Sequence, residues 1–121
     1  MVMTKTLETG YDVLKDVEGQ PVSGAARTKV LMKGEQMTMV KVTLEAGATL
    51  PPHKHKYETV CYVVGGGIHG SAAAPKATVT VGDQTFTVQG GDAFRHPKGV
   101  VHSMHTSQGV TILEVNIGPW P

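Results

Sequence analysis

His53 and His55 stand one residue apart behind Pro51-Pro52, and a third histidine, His102, ends the stretch Pro97-Lys98-Gly99-Val100-Val101-His102. Two consecutive prolines disfavour helix and pre-extend the backbone, so His53 and His55 fall on an extended segment where alternate side chains share a face. Both imidazoles then reach one ion. A divalent metal (zinc, iron, manganese or nickel) accepts neutral imidazole nitrogen, and a protein that supplies three or four ligands leaves positions open for water or substrate. Such a centre does chemistry rather than staple a fold. Glu58, three residues beyond His55, is the candidate fourth ligand.

The remaining polar residues near these three sort by parity. His96, directly before Pro97, faces inward or outward according to register and is the candidate acid or base, because imidazole titrates near neutral pH. Tyr57 shares the parity of residues 53 and 55, which makes it a candidate hydrogen-bond donor to a bound substrate. His105 follows His102 by three and points to the opposite face of a strand. Lys54 and Lys56 alternate outward, and His69 lies in a glycine-rich loop on the solvent side. Cys61 sits in the apolar run Val60-Cys61-Tyr62-Val63-Val64 and reads as a packed small hydrophobe rather than a nucleophile. As the lone cysteine it makes no intrachain disulfide and excludes a cysteine-only metal site.

The elements that position these residues read as strands. Fifteen glycines and seven prolines punctuate short segments rich in Val and Thr. Arg27 to Lys33 and Met37 to Leu44 make a first pair about Gly34; in the second, Thr38, Val40, Val42 and Leu44 alternate with Met37, Met39, Lys41 and Thr43, as in a sheet with one face inward. Thr59 to Val64 is an apolar run of strand length. Thr78 to Val81 and Gln84 to Val88 flank Gly82-Asp83, a two-residue hairpin loop. Ala93 to His96 and Val110 to Ile117 complete the set. Tyr11 to Glu18 reads as a helical turn or an irregular arm, the stretch from Gly65 to Lys76 as a mobile loop, and Trp120 belongs to an irregular tail. Many short strands with glycine turns point to an all-β sandwich or barrel.

A chain of 121 residues with 40% hydrophobic and 17% charged residues holds one core of ordinary size. One domain is expected, with residues 1–24 as an N-terminal arm and 25–121 as the barrel. Eleven basic and ten acidic residues, scattered to a net charge of +1, give no footprint for nucleic acid or anionic lipid. The first ten residues carry no apolar run, and nowhere do 18 consecutive apolar residues occur. The expected location is cytoplasmic.

The stretch Gly47-x5-His53-x-His55-x2-Glu58-x6-Gly65 resembles the first cupin motif, and Gly91-x5-Pro97-x-Gly99-x2-His102-x3-Thr106 resembles the second. The two stand in the right order, about 25 residues apart, and Thr106 replaces the asparagine usual at the end of the second. The resemblance is to the small single-domain, metal-binding cupins of the conserved-barrel type. It implies a double-stranded β-helix, the jelly-roll barrel, with one divalent metal ion held inside by His53, His55 and His102. The family's glutamate usually stands one residue later than Glu58, so that position falls on Thr59. Strand parity then turns Glu58 away, unless a bulge after His55 brings it in.

Two functional readings follow. The first is a metal-dependent enzyme acting on a small organic substrate within the barrel: Lewis-acid chemistry of the isomerase, cyclase or lyase kind, or dioxygenase chemistry if Glu58 joins the ligands. The alternative is a non-catalytic cupin that holds a small ligand or metal for sensing or storage. Small barrels of this family commonly pair through their outer sheet faces, which implies a homodimer.

Overall fold

The computed structural model describes residues 14–15, 21–22, 26–65 and 75–117. The described residues form eleven strands, in chain order: β1 (Leu14–Lys15), β2 (Pro21–Val22), β3 (Ala26–Lys33), β4 (Met37–Leu44), β5 (Thr49–His53), β6 (Thr59–Val64), β7 (Lys76–Val81), β8 (Gln84–Gln89), β9 (Ala93–His96), β10 (His102–His105) and β11 (Val110–Ile117). They form a five-stranded sheet in the order β3-β4-β11-β6-β9, a four-stranded sheet in the order β5-β10-β7-β8, and a two-stranded pair β1-β2. All pairings are antiparallel. The described residues contain no helix, so the fold is the all-β jelly roll. None of them belongs to a helix long and apolar enough to cross a membrane.

Within Tyr11 to Glu18, where a helical turn or an irregular arm was the expectation, Leu14–Lys15 pairs as strand with Pro21–Val22. The rest of that segment, His69 with the glycine-rich loop over 66–74, and Trp120 lie outside the described residues.

The alternation read in the sequence is the alternation of burial. Along β4 every second residue from Thr38 to Leu44 is buried, and along β11 the buried set is Val110, Ile112, Glu114 and Asn116. Register ties these positions into rows across the sheet: Val42, Ile112 and Val63 form one, while Thr38, Asn116, Thr59 and His96 form another. The interior therefore changes chemistry along the strands. Near Leu44, Val110, Leu50 and Met104 it is apolar; toward His53, His102, His96 and Asn116 it is polar. Hydrophobic burial at one end holds the sheets while the other end presents ligand-forming side chains.

Ile112 anchors the apolar end, with 0% of its surface exposed and Val42 and Val63 as its cross-strand neighbours. Ile112→Ala is expected to cost about 2–5 kcal/mol, the range for truncating a buried aliphatic side chain. Urea unfolding of the two proteins measures it, and a loss below about 1 kcal/mol would mean that the sheets do not close on this residue.

Candidate metal centre

Two connections bring the histidines together. His53 ends β5 and faces His102, the first residue of β10, as its cross-strand partner. The chain then leaves the strand, and the amide of Gly99 donates to the carbonyl of His55 at 3.0 Å, pinning the turn before β10 against the segment after β5. Gly99 takes φ +70° in that turn, a left-handed conformation that disfavours any residue with a Cβ. The glycine spacing thus has a local cause: it lets the chain turn and re-enter the sheet with His102 directed inward.

One ligand atom from each of His53, His55 and His102 lies within 4.8 Å of the other two. Ring centroids are 4.2 Å apart for His53 and His102, 5.0 Å for His55 and His102, and 5.3 Å for His53 and His55. His53 and His102 are 3% exposed, and His55 is partly buried.

The outer nitrogens are already engaged. Nδ1–H of His53 donates to the Pro51 carbonyl at 2.8 Å and Nδ1–H of His102 to the Val100 carbonyl at 3.3 Å. A carbonyl only accepts, so each ring carries its proton on Nδ1 and keeps the lone pair on Nε2. Nε2 of His102 is buried with no hydrogen-bond partner. A lone pair in that state is costly unless a cation or a donor meets it, and backbone-anchored imidazole is the usual outer shell of a metal ligand. The donor set fits a divalent ion.

Electrostatics point the same way. Burial lowers the pKa of His53, against the opposing hydrogen bond to Pro51. Burial, then the charge of His53, lowers His55 to about 4. Burial lowers His102 to about 2, with smaller contributions from His96, His53 and His55. All three rings are neutral at physiological pH, the form that binds metal.

His96 faces inward from β9, is 2% exposed, and stacks on His102 with ring centroids 3.6 Å apart and planes 4° from parallel. Burial, then His55 and His53, lowers it to about 3. His105 is exposed, with Nδ1 2.8 Å from the Thr49 hydroxyl.

Glu58 does not join the three imidazoles. Its carboxylate lies 2.7 Å from Nη1 of Arg95 on the outer side of the barrel, while Thr59, the next residue, is fully buried and donates from Oγ1 to Oδ1 of Asn116 at 2.6 Å. The reason is parity: β6 begins at Thr59, inward-facing, and Glu58 precedes it. Tyr57 is 41% exposed. Residues 54–58 are not strand, so the parity counted from His55 does not carry through them. Glu58→Gln is accordingly expected to leave metal content unchanged within error. Elemental analysis checks this, and loss of the ion would place the carboxylate in the ligand set.

Sequence reasoning passed over one buried cluster, formed by Cys61, His96 and Glu114, whose ligand atoms also lie within 4.8 Å of one another. Glu114 was legible from parity, since an inward Ile112 on β11 forces an inward Glu114. Burial raises its carboxyl to about 7, against the opposing influence of the nearby Asn116 amide. Burial, then the Glu114 charge, pushes the Cys61 thiol far above its usual range.

An antiparallel barrel with an imidazole-lined interior at one end is the class of protein that fold and site define. The Cupin family model matches residues 17–117, and the chain belongs to that family. Among solved structures it is similar to an RmlC-like cupin from Shewanella frigidimarina, at 21% identity and TM-score 0.68, covering 92% of this chain and 86% of that one. KdgF from Halomonas sp. matches at 21% identity and TM-score 0.65, with 83% and 86% covered. The polyketide cyclase RemF from Streptomyces resistomycificus matches at 19% identity and TM-score 0.67, with 91% and 77% covered. Likenesses this distant carry the fold alone. No curated protein matches the sequence.

Proposed function

We propose that this cupin holds one divalent cation through His53, His55 and His102 and acts on a small organic substrate in the polar end of the barrel. The observation that carries the reading is the convergence of three neutral imidazoles, two of them fixed by backbone carbonyls with Nε2 left for the ion. When bound, such an ion supplies Lewis-acid polarisation of a substrate oxygen. Three neutral ligands leave its charge whole, which favours an anionic bidentate substrate such as an enolate, a 2-oxo acid or a catecholate.

The pairing of Glu58 with Arg95 favours isomerase, cyclase or lyase chemistry over oxygen chemistry, because it leaves the ligand set without a carboxylate. RemF, a structural neighbour named as a polyketide cyclase, is in keeping with that choice. The chain's own residues fix the site: the backbone carbonyls of Pro51 and Val100 hold the rings of His53 and His102.

The test is elemental analysis of protein purified without chelator, followed by incubation of loaded and stripped protein with enolisable acids, sugar acids and catechols. At least one ion per chain and a product isomeric with its substrate, or lighter by a small eliminated molecule, are expected from the loaded protein. Absence of metal removes the reading, and oxygen incorporation reverses the choice of chemistry.

We further propose a homodimer formed through the outer face of the five-stranded sheet, a reading supported by the exposure of Met32, Met39, Val60 and Tyr62 there. Light scattering is expected to give twice 12.8 kDa; a mass of 12.8 kDa removes the pairing. A reducing cytoplasm suits the free thiol of Cys61.

A further inference from the structure

We infer that Cys61, His96 and Glu114 form a second cation site within the barrel, separate from the three-histidine centre and suited to a borderline-soft divalent ion such as zinc or cobalt(II). The three side chains come from adjacent strands of one sheet. Cys61 on β6 and Glu114 on β11 are direct cross-strand partners, and His96 enters from β9 on the far side of β6. They are 3%, 5% and 2% exposed, and one ligand atom from each lies within 4.8 Å of the others.

Two further observations point to a ligand there. Nδ1 of His96 is buried with no hydrogen-bond partner, and so is Oε1 of Glu114. Buried polar atoms in well-packed interiors are nearly always satisfied, so two orphans converging beside a thiol require an explanation. No described lysine or arginine is buried to compensate the carboxylate. A divalent ion answers all three groups at once: it accepts the imidazole lone pair and replaces the thiol and carboxyl protons, which pass to solvent.

Charge also separates the two sites. Thiolate and carboxylate together cancel the charge of a divalent ion, so occupancy adds no net charge to the interior, which limits repulsion of a cation held by His53, His55 and His102. The donors differ in kind as well. Sulfur, nitrogen and oxygen in a closed pocket are the ligands of zinc and cobalt(II), and they leave a spectroscopic mark that an all-imidazole site lacks.

The full chain is produced in cobalt-supplemented medium, so that the pocket folds around the ion, and is examined by absorption spectroscopy and elemental analysis. Two cobalt ions per chain and a sulfur-to-cobalt charge-transfer band in the near ultraviolet are expected. Cys61→Ala and Glu114→Gln, both small changes in volume, are expected to lower the content to one ion, and both to lose the band. His53→Ala is expected to lose one ion and keep the band. Wild-type protein without a thiolate band, or a band lost in His53→Ala, overturns the inference. One ion with a band indifferent to His53→Ala keeps this site and removes the three-histidine reading, so the two fail separately.

Discussion

His102→Ala is expected to reduce metal affinity by more than about 100-fold, beyond what the loss of an outer-shell partner usually costs. His102 is the ring through which the centre is joined: it is the cross-strand partner of His53, it stacks on His55, and its Nε2 is the buried atom that lacks any other partner. Removing it leaves two imidazoles, of which His55 lies outside regular strand and is only partly buried. Calorimetric titration of stripped protein measures the change. Thermal unfolding gives a second readout, since an ion at a thousandfold excess over its Kd stabilises the native state by about 4 kcal/mol, and the variant should gain little of this. His105→Ala is the control. That residue lies three positions on, exposed and engaged with Thr49, and should bind metal as wild type does. Equal affinity in His102→Ala and wild type would remove the centre.

Much of this site was legible in the sequence because two of its determinants are local. The spacing of His53 and His55 behind two prolines, and the turn with Gly99 that ends at His102, depend on neighbours within a few residues. The strands were legible for the same reason, their alternation being a property of each segment alone. What escaped was either a break in regular structure or a consequence of register. Residues 54–58 interrupt the strand, so parity counted from His55 carries no information on where Tyr57 or Glu58 points. The row that sets His96 beside Thr59 and Asn116 exists only once β9, β6 and β11 are aligned, and nothing within any one of those segments specifies that alignment.

Metal-stripped protein is expected to lose stability steadily as the pH falls from about 7 to 5. His53, His55, His96 and His102 all have pKa values below the ordinary 6.5, with burial as the first cause in each. Unfolding releases them to water, so below 6.5 the unfolded chain takes up protons that the folded chain refuses. More protons on the unfolded state means that stability rises with pH. The contribution is therefore whole above 6.5 and is lost on acidification, by up to about 1.4 kcal/mol per pH unit for each proton taken up. Glu114 acts in the other direction. Its carboxyl is raised to about 7, so between there and its ordinary 4.5 the folded state holds the extra proton and acid stabilises it. One group opposes four, and the net slope keeps the sign of the histidines. Denaturant unfolding at pH 7.5, 6.5 and 5.5 in the presence of chelator gives the slope, and stability that stays level or rises on acidification would mean that these imidazoles are not held neutral inside the barrel. With metal present the same acidification expels the ion, because proton and cation compete for one lone pair on each ring. The drop between pH 6.5 and 5.5 is then steeper than in stripped protein, since the bound ion's stabilisation is lost together with that of the neutral rings.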